Sequence, residues 1–172
     1  MPRFDILGQL GSLRRYARSL TRDSTDSEDL VHDALVRAYE RRGTFRAGGN
    51  LRAWLLAIVH NAFIDKLRSR NSEAARIEQA GYLADSSVQA SQEHSVRLAQ
   101  VREAFFTLPE EQRSALHLVA IEGLSYQQAA DAMGVPLGTL MSRIGRARAA
   151  LREMEDAPSK SKNHLRIVGG PS

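Results

Sequence analysis

Apolar residues recur at three- and four-residue intervals along most of the chain, and no stretch alternates apolar and polar positions long enough to argue a strand. Residues 4–20 carry Phe4, Leu7, Leu10, Leu13, Tyr16, Ala17 and Leu20 at helical spacing. A break rich in capping residues follows at Thr21–Ser27, with Ser27 placed to cap the next helix. Residues 28–42 repeat the pattern through Leu30, Val31, Ala34, Leu35, Ala38 and Tyr39 before the loop Gly43-Thr-Phe-Arg-Ala-Gly-Gly49. The most persuasive helix spans 51–69, with Leu51, Trp54, Leu55, Ile58, Val59, Ala62 and Leu67 inward.

Composition shifts near residue 71. Asn71–Glu93 is rich in Ser, Ala and Gln, has a weaker apolar period, and reads as a partly helical tether. The period returns at 95 with Val96, Leu98, Val101, Ala104, Phe105 and Leu108. Pro109 suits the first residue of a further helix, which Gly123 ends. Two more helices are expected over 125–133 and 137–153, separated by Met133-Gly-Val-Pro136. The pattern therefore predicts an all-α chain of two small helical domains, 1–70 and 95–155, joined by a flexible linker over 71–94. The Pro-, Ser-, Lys- and Gly-containing tail at 156–172 reads as disordered.

The chain has 172 residues, with 24 Lys+Arg against 20 Asp+Glu, so the net charge of +4 is modest and its placement matters more than its sum. The absence of Cys removes disulfides, thiolate zinc sites and cysteine nucleophiles, and is compatible with a reducing, cytoplasmic setting. No apolar run approaches the ~20 residues a membrane span needs, so membrane insertion is not expected. The five His show no ligand spacing, and His60 and His117 read as surface or partly buried helix residues. Neither Gly-x-Ser-x-Gly nor a phosphate loop occurs. No metal, cofactor or enzymatic activity is expected.

The last two helices form a helix-turn-helix pattern: Tyr126, Ala129, Ala130 and Met133 on the first, Gly134-Val135 in the turn, and Pro136 opening the second. At 100° per residue, Leu140, Ile144, Ala147 and Leu151 share the buried side, while Gly138, Ser142, Gly145, Arg146 and Ala149 lie opposite. Residues 136–152 hold four Arg and no acid. A small-residue outer face lets such a helix sink into a major groove. Arg146 is the candidate guanine contact, with Met141 and Ser142 beside it. Arg143 and Arg148 flank the buried stripe and suit phosphates, and Thr139 near the helix start suits a phosphate bound by orphan amides. The competing reading is a helical hairpin that binds protein through a solvated basic face.

The first domain separates the hypotheses. It offers an acidic stretch (Asp23, Asp26, Glu28, Asp29, Asp33), then an aromatic and glycine loop, then a helix with a basic end (Lys66, Arg68, Arg70). That order suggests two partners of opposite charge. Phe45 in the loop, with Asn61 beyond it, supplies an aromatic edge and an amide, tools for holding an unpaired base. Trp54 reads first as core, and Asn61 alone fits a cap or an interhelical bridge equally well. A stand-alone helix-turn-helix regulator, whose first domain senses a ligand or dimerises, is the alternative.

Three blocks carry a resemblance: Asp26-Ser-Glu-Asp-Leu-Val-His-Asp-Ala-Leu-Val-Arg-Ala-Tyr39; Leu51-Arg-Ala-Trp-Leu-Leu-Ala-Ile-Val-His-Asn61; and Leu108 through Glu122-Gly-Leu-Ser-Tyr126 to Arg143, then Arg146-Ala-Arg148. In these the chain resembles bacterial RNA polymerase sigma factors of the extracytoplasmic-function type, in the sigma-70 superfamily. Arg14-Arg-Tyr-Ala-Arg18 and Gly49-Asn-Leu-Arg-Ala-Trp54 look closest to the alphaproteobacterial general-stress, EcfG-like branch. The resemblance implies that the first domain is region 2, docking on the clamp helices of the polymerase largest subunit through Asp29, Leu30, Asp33 and Arg37. Phe45 and Asn61 would then capture a flipped base of the −10 element, with Lys66, Arg68 and Arg70 on adjacent backbone. Region 4 would rest on the polymerase flap and read the −35 element through Thr139, Met141, Ser142, Arg143, Arg146 and Arg148. Promoter DNA, core polymerase and an anti-sigma protein are the implied partners. Met141 stands where relatives often carry Arg or Lys, and Gly145 where some carry a bulkier residue.

Overall fold

The computed structural model describes residues 4–76 and 95–157. Most of the expected linker, 77–94, and the tail from 158 lie outside the described residues. Among the described residues all regular structure is helical: α1 (Leu10–Thr21), α2 (Ser24–Glu40), α3 (Leu51–Arg76), α4 (Ser95–Thr107), α5 (Glu110–Leu116), α6 (Tyr126–Met133) and α7 (Leu137–Asp156). Short 3₁₀ turns at Leu7–Gln9 and Arg42–Thr44 precede α1 and follow α2.

In α1 the buried residues Leu13, Tyr16, Ala17 and Leu20 follow the spacing read from sequence. The cap of α2 is displaced from the expected Ser27. Asp23, in extended conformation, accepts the Asp26 N–H at 2.9 Å. Its carboxylate faces the orphan amides one turn earlier, where the helix dipole favours a negative charge. Ser27 is instead buried within α2, its hydroxyl donating to the Ser24 carbonyl.

α3 runs on through Arg76, into the stretch read as the start of the tether. It buries Leu55, Leu56, Ile58, Val59, Ala62 and Phe63, more of its circumference than one face. The reason is that α1 and α2 pack on one side of it and α6 on another. The helix expected over 109–122 divides in two. Pro109 is extended (ψ 141°) and serves as N-cap rather than first residue, its carbonyl accepting the N–H groups of Gln112 and Arg113. After Leu116 the backbone widens into a π-turn, His117–Ile121, in which the Glu122 N–H reaches the His117 carbonyl at 3.0 Å. That i→i+5 bond lays Glu122 against His117.

A capping box opens α6: the Ser125 hydroxyl accepts the Gln128 N–H at 3.1 Å and the Gln128 side-chain oxygen accepts the Ser125 N–H at 3.0 Å. Gly134 (φ 67°) closes it in the left-handed conformation that the hairpin turn demands. Leu140, Ile144 and Ala147 of α7 then pack inward, as the helical wheel places them.

The two modules are not separately cored bodies on a string. α6 packs on α3 and α5 on α1, and buried side chains run without interruption from Leu13 to Ala147. Polar groups line this seam. Tyr16 and His60 meet through the phenol oxygen and Nδ1 at 2.9 Å, both buried. Burial pushes the phenol pKa upward, so the hydroxyl remains protonated and donates. Burial first, and then the Arg143 charge, draw His60 down to about 4.

Candidate nucleic-acid interface

The α6–α7 hairpin presents its expected face to solvent. Thr139, Ser142, Arg146 and Arg148 are exposed, and Met141 is 51% exposed. A methyl group built on Gly138 or Gly145 meets nothing within 4 Å, so this side of α7 is flat and open. Pro136 caps α7 without a side-chain acceptor, leaving the first amides available beside Thr139. Arg143 differs from the other arginines. It is half-buried, and its guanidinium pairs with Glu111 on α5 at 3.3 Å.

In the first module the loop before α3 packs an aromatic cluster. Phe45 lies 5.4 Å from Trp54 between ring centroids, and Phe4 makes edge contacts with both, at 5.8 and 5.7 Å. Gly49 permits this approach: a Cβ there would stand 3.0 Å from the Arg46 carbonyl and 3.4 Å from the Phe45 ring. Asn50 accepts the Ala53 N–H at 3.0 Å and so starts α3 from the loop. Trp54 and Asn61 are two turns apart on one side of α3, about 10 Å along the axis, and Asn61 is exposed. Arg68 continues that side two turns further.

Lys66 and Arg70 belong to another side of the helix. They stand at the rim of a hollow of about 220 Å³ floored by Leu20, Phe63 and Leu67, and Arg70 is paired there with Asp26 at 3.4 Å. The structure thus groups Phe45, Asn61 and Arg68, and separates them from Lys66 and Arg70.

The outer side of α2 forms a third surface. Asp29 is exposed, and Arg37 bridges Asp65 at 2.6 Å and Asp33 at 3.3 Å. The hydrogen bond to Asp65, helped by the Asp33 charge and opposed by burial, raises the Arg37 pKa. Leu30 does not belong to this surface. It is fully buried, because its position on the wheel turns it toward α1 and α3, and it supports the charged face from beneath. Two apolar residues replace it outside. Val36 is exposed, and Tyr39, expected inward, is 64% exposed with the Arg42 guanidinium 4.2 Å from its ring centroid.

Sequence reasoning passed over the seam between the modules. The Glu122 side chain is wholly buried; its Oε1 accepts from Arg15 Nε at 3.2 Å and from His117 Nε2 at 3.1 Å, and its Oε2 accepts from Arg15 Nη2 at 3.2 Å. Burial alone would raise this carboxyl, but hydrogen bonds from His117 and Arg15 outweigh it and hold the pKa down to about 2. Arg113, 3% exposed, donates from Nε to the Ser19 carbonyl at 2.8 Å and from Nη1 to the Leu108 carbonyl at 3.0 Å. Burial and the neighbouring Arg22 charge draw its pKa down to about 10. The sequence signal for Arg113 was charge within an apolar helical stretch; Arg15, on the exposed side of α1, and Glu122, in the turn after Ile121, carried none.

Comparison with known proteins places these surfaces in context. Residues 9–73 match the family Sigma-70 region 2, and residues 98–151 match Sigma-70, region 4. The chain is 38% identical over 149 residues to the ECF RNA polymerase sigma factor EcfG of Rhodopseudomonas palustris, covering 87% of this chain and 82% of that one. Among solved structures it is similar to the sigma factor RpoE of Bartonella quintana in complex with the anti-sigma factor NepR. That match has 33% identity and a TM-score of 0.78 over 89% of this chain and 95% of that one. CnrH in complex with the cytosolic domain of CnrY matches at 31% identity and a TM-score of 0.63, over 90% and 86% of the two chains.

Proposed function

Because the chain belongs to the extracytoplasmic-function sigma factors of RNA polymerase, we propose that it seats on core polymerase and selects promoters through two separate DNA contacts. α7 enters the major groove of the −35 element. Arg146, with Met141 and Ser142, reads base edges there, while Thr139 and Arg148 hold phosphates, joined by Arg143 once it leaves Glu111. The α3 face of the first module takes the opened −10 strand. Phe45 offers a ring edge to an extruded base, Asn61 its amide, and Arg68 the adjacent phosphate. Lys66 and Arg70 act on the strand further along, once Arg70 leaves Asp26.

The outer side of α2, with Asp29, Asp33, Val36, Arg37 and Tyr39, docks on the largest-subunit clamp helices, and the second module rests on the flap. An acidic rim around exposed apolar residues suits a basic, apolar protein partner better than nucleic acid. The chain makes and breaks no covalent bond in this scheme. It supplies binding energy for strand opening, in the cytoplasm where the polymerase works. No described helix is long and apolar enough to cross a membrane. An anti-sigma protein is the expected regulator. The similarity to a sigma factor held by NepR extends over both modules at once, which supports a partner that engages them in this mutual placement.

The observation that carries the reading is the presence, in one chain, of an open arginine-flanked helix face on α7 and an acidic, partly apolar face on α2. Run-off transcription with reconstituted core polymerase tests it. Specific starts that appear only when the chain is added support the assignment. A chain that ignores core but binds duplex DNA tightly by itself is a stand-alone regulator.

A further inference from the structure

The two DNA-reading modules of a sigma factor work far apart. Elements named for positions −35 and −10 are centred about 25 base pairs from one another, or roughly 85 Å along B-DNA at 3.4 Å per step. A folded body of this chain's length spans only about 40 Å. The docked arrangement of α6 on α3 and α5 on α1 therefore cannot serve both elements together. It is a different state from the one that reads a promoter.

An apolar seam closes that state, and a set of polar contacts crosses it. Glu122, in the turn before α6, receives Arg15 of α1 through both carboxylate oxygens, and its main-chain carbonyl receives Arg52 of α3 at 3.4 Å. Arg113 of α5 reaches across to the Ser19 carbonyl of α1, and Arg22, after α1, reaches the Phe106 carbonyl of α4. We propose that these contacts form an intramolecular clasp, centred on Glu122 and Arg15, that holds the second module on the first and keeps the unbound chain closed. The meaning of the clasp for transcription rests on the sigma-factor reading above; the clasp itself does not.

Two features suit such contacts to a reversible role. First, the arginines and the glutamate are well hydrated when released, so opening returns charge to water. A seam of the same size made only of leucines would resist opening through its exposed apolar area. Second, the carboxylate is held by both modules. Arg15 grips it from the first, and His117, laid against Glu122 by the π-turn, grips it from the second. Losing Arg15 therefore removes the side-chain ion pair that joins Glu122 to the first module while leaving the internal His117–Glu122 contact. Arg15 is half-exposed and outside every binding surface assigned above, so its replacement spares the fold and the DNA contacts.

The test uses the full-length chain, which has no native Cys. Thr25→Cys on α2 and Glu155→Cys on α7, both exposed, accept a pair of spin labels. In the free protein the labels should report one short, narrow distance distribution. Arg15→Gln should lengthen and broaden it, with Glu122→Gln acting in the same direction and helical content unchanged for Arg15→Gln. If the closed state restrains assembly, Arg15→Gln should also tighten binding to core polymerase, by about tenfold where the open form is a tenth of the wild-type population. Distances unchanged in both variants overturn the clasp. Lengthened distances with unaltered core affinity overturn its restraint on assembly. A wild-type chain that never binds core refutes the sigma reading instead, while the distances still decide whether the clasp exists.

Discussion

Acid should loosen this protein well before its carboxylates protonate, and His60 is the reason. The imidazole lies buried between the Tyr16 hydroxyl and the Arg143 charge, and its pKa falls from 6.5 to about 4. In the unfolded chain the ring takes a proton near pH 6.5, while in the folded chain it does so only near pH 4. Between those values the unfolded state binds more protons, so stability falls as pH falls. Each pH unit crossed in this window removes about 1.4 kcal/mol, so the loss reaches about 2 kcal/mol by pH 5 and about 3 kcal/mol by pH 4. Glu122 adds to the decline only below its usual carboxylate range, since its pKa is held at about 2. Glu110 opposes the trend, because burial raises its pKa and the folded state then gains the proton. Urea melts followed by the single tryptophan, Trp54, at half-unit steps from pH 7.5 to 4.5 measure the slope. A parallel series on His60→Gln isolates the histidine. The wild type should lose stability over this range and the variant should lose about 2 kcal/mol less. Parallel curves would refute the reasoning, and would mean that the ring is hydrated or protonated in the folded chain.

Three further outcomes address the DNA and polymerase surfaces. Asn61→Ala should reduce open-complex formation, read by permanganate footprinting, and leave core binding intact; equal loss of both would make Asn61 a structural residue. Arg146→Ala should cost about 1–3 kcal/mol at one upstream base pair in competition binding of the holoenzyme. A uniform loss across all upstream sequences would reduce Arg146 to a phosphate contact. Asp33→Arg places a like charge beside Arg37, so pull-down with core polymerase should fail while the helical signal persists. An unchanged pull-down would remove α2 from the interface.

Local rules made the helices legible. Apolar spacing located α1, α2, α3 and α7, and Gly134 with Val135 and Pro136 marked the hairpin because a left-handed glycine and a helix-initiating proline have few other uses. The open face of α7 followed from the wheel alone, since small residues opposite Leu140 and Ile144 leave no alternative. What escaped was long-range. Tyr39 fitted the apolar stripe of α2 by spacing, yet near the end of α2 its ring is largely exposed and meets the Arg42 guanidinium. Leu30 was grouped with surface acids that adjoin it in sequence but not on the wheel. The capping of α2 depended on whether Asp23 or Ser27 met the orphan amides, a contest that charge settles once the backbone enters from Arg22. The seam was invisible because Arg15, Arg113, His117 and Glu122 are joined by contacts spanning as many as 107 residues of chain, and periodicity carries no information about such pairs.

The empty space over Gly138 and Gly145 bears on how such a protein changes its targets. Both glycines sit on the exposed side of a helix, where an alanine methyl would touch nothing, and at Gly145, inside the helix, alanine would also gain about 1 kcal/mol of helix propensity. The surface proposed to meet DNA is thus uncoupled from the packing that builds the domain. A side chain can start from either site without its Cβ pressing on the helix's surroundings, while Leu140, Ile144 and Ala147 pack on the other side. If α7 reads the promoter as proposed, a lineage can in this way explore new upstream preferences by single substitutions, and duplicate copies of the gene are free to diverge in what they switch on.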